Sequence, residues 1–194
     1  MSRRVDSAAH RPLQIWAQDL RRARILRRYR RRWACALAAG GALVGWTIAR
    51  PPLPRLVWNA SASAPIGLYA VTPGAPIGVG DMVVAWPPSA VRRLASVRAY
   101  LPATVPLVKR VAAGPGDRTC AAGAVITIDG EAVVRRARAD RLGRFMPFWS
   151  GCRSLHAGQY LLLMRGVPAS FDGRYFGITS GSDVIGRARL LWAR

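Results

Sequence analysis

The segment AVITIDGEAVVRR, residues 124–136, decides the fold class that we predict for this chain. Two short apolar runs flank Asp129-Gly130, a dipeptide typical of the tight turn in a β-hairpin. Similar short runs, broken by glycine and proline, continue from residue 53 to the end of the chain. The sequence therefore predicts a mainly β domain.

The other elements follow from the same pattern on either side of this hairpin. We expect strands over residues 67–71, 82–86, 107–111, 124–128, 132–136, 160–164 and 184–191. The clearest helix, over 90–100, follows two prolines, and Ser89 is expected to cap it. A chain of 194 residues with 51% hydrophobic content holds one such domain plus an anchor.

The N-terminal part combines a basic block with an uncharged run. The net charge is +21, and residues 1–32 contain 11 arginines against two aspartates. Residues 33–49, WACALAAGGALVGWTIA, carry no charge over 17 positions, near the lower limit for a membrane-spanning helix. By the positive-inside rule we predict a basic cytoplasmic tail over 1–32, a transmembrane helix over 33–49 and an extracytoplasmic domain over 50–194.

Two alternatives to this anchor remain open. A cleaved signal peptide is the first, although 32 residues are long for its basic region and Thr47-Ile48-Ala49 is a poor cleavage site. Binding of the arginine block to nucleic acid is the second, since arginine-rich segments also contact phosphates. The uncharged run that follows favours a lipid bilayer over nucleic acid as the partner.

Lys109 is the only lysine in the chain, beside 29 arginines. Arginine stays protonated and cannot act as a base, whereas burial lowers the pKa of a lysine by up to about 3–5 units. The apolar stretch over 105–108 predicts that Lys109 is buried. A neutral lysine activates a serine by taking its hydroxyl proton. An arginine-rich composition also leaves one lysine by chance, so this interpretation needs a serine partner.

The best serine candidate lies in NASASAPIGLY, residues 59–69. Pro65 and Gly67 predict a turn before a strand, which is a good place to present a hydroxyl, although a serine-rich turn is also an ordinary loop. His156 is the only histidine outside the N-terminal segment, and it lies in an expected surface turn. A histidine-dependent triad is therefore disfavoured.

Other chemistries have little support in the sequence. No cysteine and histidine cluster has the spacing of a zinc site, and no glycine loop matches a nucleotide fingerprint, so we expect no metal and no cofactor. Cys120 and Cys152 can pair in an oxidising compartment, but sequence alone does not show that their side chains meet.

Four segments in order resemble the bacterial type I signal-peptidase superfamily (S26), and within it the conjugative-transfer peptidase group called TraF. They are NASASAPIGLY (59–69), GDMVVAW (80–86), VKRVAAGPGD (108–117) and SFDGRYFG (170–177), the last followed by VIGRARLLW (184–192). The resemblance implies an antiparallel β-sheet catalytic domain with one short helix. It also implies an inner-membrane protein whose catalytic domain lies in the periplasm.

The resemblance also implies roles for single residues. Ser63 is expected to be the nucleophile and Lys109 its general base. The Ser63 backbone N–H and the Ser61 hydroxyl are expected to form the oxyanion hole. The site-supporting residues would be Ser170, which orients the lysine, and an ion pair of Asp172 and Arg174.

The same resemblance implies a membrane-inserted pilin precursor as the substrate. Ala64 and Gly173 replace the Met and Ser of many general signal peptidases, which favours a specialised substrate. Two alternatives are a general signal peptidase for exported preproteins and a non-enzymatic membrane assembly factor of a secretion apparatus. The sequence also leaves open whether water or an amine completes the reaction.

Overall fold

A computed structural model of the chain describes residues 11–50 and 52–194. The first ten residues of the predicted basic tail, and Pro51, lie outside the described residues. The chain divides into two units, one that contains the N-terminal helix and one formed by Leu53–Arg194.

Helix α1 (Arg11–Ala49) runs without a break through the described part of the predicted tail and the whole uncharged run. No helix among the described residues has a stretch that is both long and apolar enough to cross a bilayer. The helix predicted over 33–49 is present, but the structure does not show that it spans a membrane. Its 17 residues include six alanines and three glycines, and Arg32 and Arg50 flank it directly, so any longer window takes in a charge.

The second unit is made mainly of strands, as predicted. They are β1 (Leu56–Asn59), β2 (Gly67–Pro73), β3 (Met82–Ala85), β4 (Leu107–Ala113), β5 (Arg118–Ala122), β6 (Val125–Ile128), β7 (Glu131–Arg135), β8 (Gly151–Ser154), β9 (Gln159–Leu163), β10 (Ile178–Ser180) and β11 (Val184–Ala193). Two short helices, α2 (Ser89–Val97) and α3 (Gly173–Phe176), and a 3-10 turn over Gly181–Asp183 connect them.

The strands form two antiparallel sheets. The larger sheet has the order β1-β2-β11-β3-β4-β9-β10, and the smaller has the order β7-β6-β5-β8. Strand β4 therefore has a partner on each side, β3 at one edge and β9 at the other. Six of its seven residues are buried, as expected for an apolar central strand.

All seven predicted strands are present, with ends that shift by at most two residues. The predicted turn is also confirmed, because Asp129 and Gly130 both have positive φ (50° and 89°), as a type I′ hairpin turn requires. Strands β1, β5, β8 and β10 were not predicted. They are three to five residues long, and every residue of β8 is exposed, so they carry no clear apolar pattern.

Two further predictions can be compared with the structure. Ser89 is the first residue of α2 and makes no capping hydrogen bond, so the predicted cap is wrong; Pro88 occupies the cap position. Cys120 and Cys152 lie directly opposite each other on β5 and β8 and form a disulfide. The bond joins the central part of the smaller sheet to its edge.

Candidate active site

The loop between β1 and β2 carries Ser63. Asn59 and Gly67 pair at the base of this hairpin, so residues 60–66 form the connection. Gly67 has φ +156°, and a Cβ there would lie 2.0 Å from the Trp192 carbonyl oxygen of β11. Only glycine therefore lets β2 pass so close to β11 at this point. The loop holds Ser63 half-buried above the sheet.

Lys109 lies in the middle of β4, and its side chain is 1% exposed. Its Nζ donates a hydrogen bond to Ser63 Oγ at 2.5 Å, although 46 residues separate the two in sequence. Burial lowers the pKa of Lys109 to about 8, while Asp172 raises this pKa and Arg174 lowers it. Roughly a tenth of the lysine is therefore neutral at pH 7.

Ser61 contacts the candidate nucleophile in two ways. Its Oγ lies 2.8 Å from Ser63 Oγ and accepts a hydrogen bond from the Ser63 backbone N–H at 3.2 Å. The two expected oxyanion-hole donors therefore bond to each other in the free protein.

The expected ion pair of Asp172 and Arg174 is fully buried. Arg174 Nε donates to Asp172 Oδ1 at 2.8 Å, and the two side chains are at most 1% exposed. Asp172 also accepts from the Met164 N–H, and Arg174 donates to the Met164 carbonyl. Met164 follows β9 directly, and β9 lies beside β4, the strand of Lys109. The ion pair therefore attaches the segment over residues 172–174 to the strand next to that of Lys109.

Gly173 stands where many general signal peptidases have Ser, and the packing around it explains the difference. A Cβ at this position would lie 2.8 Å from both the Leu161 side chain and the Leu162 carbonyl oxygen. A serine would force β9 and α3 apart. The glycine therefore reflects tight packing behind the site.

Ser170, predicted to orient the lysine, is fully buried. Its Oγ has no hydrogen-bond partner among the described residues. The side chain is thus inside the protein, two residues before Asp172 of the ion pair, but its action on Lys109 stays a prediction.

Asn59 was not singled out as a site residue. It is the only asparagine in the chain, just as Lys109 is the only lysine, and that rarity is the signal that sequence offered. Its buried side chain makes four hydrogen bonds within the Ser63 loop.

Ser63 and Lys109 open into a cleft of about 800 Å³ lined mostly by apolar side chains. One wall is held by Asp140, which accepts hydrogen bonds from Tyr100 and Arg144. His156 is exposed and does not line this cleft. Among residues 11–50 and 52–194, no group of His, Cys, Asp and Glu side chains could hold a metal ion.

A serine hydroxyl that accepts a hydrogen bond from a buried lysine in an open cleft is an arrangement typical of Ser-Lys hydrolases. The family model described as signal peptidase, peptidase S26, matches residues 28–193. The plasmid transfer protein TraF of Escherichia coli is 33% identical over 78% of this chain and 84% of its own length. The chain therefore belongs to the S26 signal peptidase family, in the group of the TraF proteins.

Two other proteins are similar to this chain. The probable conjugal transfer protein TraF of Sinorhizobium fredii (strain NBRC 101917 / NGR234) is 32% identical over 68% of this chain and 73% of its own length. The solved structure of a signal peptidase I from Enterococcus faecalis V583 covers 58% of this chain and 97% of its own, with 15% identity and a TM-score of 0.35.

Proposed function

We propose that this protein is a serine endopeptidase in which Ser63 is the nucleophile and Lys109 the general base. The hydrogen bond between Lys109 Nζ and Ser63 Oγ, together with the burial that lowers the lysine pKa to about 8, supports the proposal most strongly. A lysine in contact with a hydroxyl and neutral in part of the population is what proton abstraction requires.

The reaction follows from these two groups. Neutral Lys109 takes the proton of Ser63 as Oγ attacks the scissile carbonyl carbon. The carbon–nitrogen bond then breaks, the lysine gives its proton to the departing amine, and an ester remains on Ser63. Lys109 next takes a proton from water as the water attacks that ester, and it returns the proton to Ser63 when the acid leaves.

The oxyanion is stabilised by the Ser63 N–H and the Ser61 hydroxyl. These donors bond to each other in the free protein, so the incoming carbonyl oxygen replaces the Ser61 oxygen as the acceptor for the Ser63 N–H. In serine proteases, the loss of one oxyanion-hole donor lowers kcat by about 10²–10³-fold.

The substrate in this proposal is a membrane-inserted pilin precursor, trimmed during conjugative transfer. The TraF relatives are named as conjugal or plasmid transfer proteins, and these names motivate the choice. The open, mostly apolar cleft is suited to an extended apolar peptide.

We also propose that the catalytic unit works at the periplasmic surface of the inner membrane. The disulfide between Cys120 and Cys152 suits an oxidising compartment. Trp58 and Trp192 are exposed, and their rings lie tilted with centroids 5.6 Å apart. Tryptophan favours the membrane–water interface. Binding of Leu53–Arg194 to lipid vesicles, with loss on Trp58→Ser, tests this location.

The dyad is tested by cleavage of the pilin precursor with purified full-length protein. Ser63→Ala and Lys109→Met are expected to lower kcat by at least about 10⁴-fold. Ser182→Ala, which changes an exposed serine far along the chain, is the control and is expected to retain full activity. Equal cleavage by the wild type and all three variants would exclude a catalytic role for Ser63 and Lys109. No cleavage by any would favour the non-enzymatic assembly factor.

The substrate is tested in parallel assays of the pilin precursor and a set of ordinary exported preproteins. We expect kcat/KM to favour the pilin precursor by at least about 100-fold, a ratio within reach of differential transition-state binding. Cleavage of the ordinary preproteins alone would instead indicate a general signal peptidase.

A further inference from the structure

The Ser63 loop is organised by one buried amide, that of Asn59. Its Nδ2 donates to the carbonyl oxygens of Ser61 at 3.0 Å, Ala64 at 3.1 Å and Pro65 at 3.0 Å. Its Oδ1 accepts a hydrogen bond from the Ser61 backbone N–H at 3.1 Å. Asn59 is 7% exposed, and its bond to the Ala64 carbonyl is buried while the other three are partly buried.

These contacts hold the chain on both sides of the nucleophile. Ser61, two residues before Ser63, is bonded to the amide through both its N–H and its carbonyl. Ala64 and Pro65 follow Ser63 directly, and their carbonyls point to the same Nδ2. The amide fixes the backbone at Ser61 but does not contact its hydroxyl, which bonds to Ser63 instead.

The asparagine side chain has the donors and the acceptor that this set of hydrogen bonds requires. It offers two N–H donors and a carbonyl acceptor on a short stem, so three carbonyls share two hydrogens while one N–H is accepted. Aspartate has the same shape but presents no donor. Leucine has a similar volume but neither donates nor accepts, so the Ala64 carbonyl and the Ser61 N–H would lose their hydrogen bonds, while the Tyr69 hydroxyl would still donate to the Pro65 carbonyl.

We propose that Asn59 is a positioning residue for Ser63, setting the distance and direction of its hydroxyl relative to Lys109 and to the substrate carbonyl. The inference rests on the proposed function of Ser63 as nucleophile. A displacement of about 1 Å at a reacting group costs about 10²-fold in rate. Asn59→Leu and Asn59→Asp are therefore expected to lower kcat by about that factor and to change KM by less than about threefold.

The experiment compares these two variants with Thr119→Val in the full-length protein. Thr119 is also buried and donates its hydroxyl to a backbone carbonyl, but it lies in the smaller sheet. Kinetic constants are measured at 10 °C and pH 9.5 and divided by the folded fraction from circular dichroism. The expected result is a low kcat for Leu and Asp at position 59, a normal kcat for Thr119→Val, and an unchanged pH midpoint for Asn59→Leu.

Three outcomes would overturn the inference. The first is a normal kcat per folded molecule in Asn59→Asp, because the N–H donors of Asn59 would then not be needed to position Ser63. The second is a raised KM with unchanged kcat in either variant. The third is unfolding of both variants and of Asn59→Ser while Thr119→Val folds, which would make Asn59 a residue of folding alone. Full activity of Ser63→Ala would instead contradict the proposed function itself, because Ser63 could not then be the nucleophile.

Discussion

Lys109 and the ion pair of Asp172 and Arg174 are both buried, but the surroundings of their charges differ. The ion pair has its opposite charges in contact at 2.8 Å and shares hydrogen bonds with the backbone. Lys109 has no carboxylate within ion-pair distance among the described residues, and it contacts a serine hydroxyl instead. A satisfied pair stays charged and holds structure, whereas an unpaired lysine is easily neutralised and available for chemistry.

Breaking the ion pair is expected to have the largest effect on stability. Asp172→Asn leaves the Arg174 charge buried without a partner, so the free energy of unfolding should fall by about 3–5 kcal/mol in denaturant titrations. Because Asp172 raises the pKa of Lys109, the pH midpoint of activity should also move below that of the wild type.

A partly exposed ion pair provides the matched control. Asp183 lies 4.0 Å from Arg92, and both side chains are about one-third exposed. Asp183→Asn should cost no more than about 1 kcal/mol and leave the pH midpoint unchanged. Equal losses of stability in the two aspartate variants would contradict the contrast between the buried pair and the surface pair.

Much of this contrast could be predicted from sequence, but not its geometry. The apolar stretch before Lys109 predicted burial of the lysine, and the turn before β2 predicted a presented hydroxyl. Their meeting depends on the antiparallel order of β1, β2, β11, β3 and β4, which no local pattern encodes. The role of Asn59 was missed because its bonds are to backbone atoms, which any sequence offers.

The N-terminal helix and the disulfide illustrate the same limit. An uncharged run of 17 residues predicted a membrane span; the structure shows a helix there, but no helix among the described residues is both long and apolar enough to cross a bilayer. The facing of Cys120 and Cys152 depends on the pairing of β5 with β8, two strands without a clear apolar pattern.

Removing Lys109 should stabilise the protein at neutral pH. Its pKa is about 8 in the folded state against 10.5 as the ordinary value, so burying the charge costs roughly 3 kcal/mol below pH 8. Lys109→Met should therefore unfold at higher denaturant concentration at pH 7. Between about pH 8 and 10.5 the unfolded wild type binds more protons than the folded one, so wild-type stability rises with pH and the difference shrinks.

Arg110→Met is the control for this measurement, because Arg110 is the exposed residue of the same strand. Between pH 7 and 9 the stability of Arg110→Met should differ from that of the wild type by a constant amount; nearer pH 10 the loss of Arg110 also raises the pKa of Tyr69. A Lys109→Met protein that is less stable than the wild type at pH 7, with a gap that does not change up to pH 10.5, would contradict the buried-charge account.

The smallest expected effect is that of Ser170→Ala. The Ser170 hydroxyl is buried without a partner among the described residues, so its removal should change the free energy of unfolding by less than about 0.5 kcal/mol. If Ser170 orients Lys109, kcat should still fall by about threefold to tenfold. Thr179→Val removes another unpartnered buried hydroxyl, and kcat should stay normal there; identical kinetics in the two variants would exclude the orienting role.

The pH dependence of kcat/KM tests the central claim most directly, since it reports the ionisation of the base in the free enzyme. With neutral Lys109 as the base, kcat/KM should rise about tenfold per pH unit at low pH and level off above a midpoint near pH 8. A midpoint near the ordinary histidine value of about 6.5, or a profile that Lys109→Met leaves unchanged, would contradict the account.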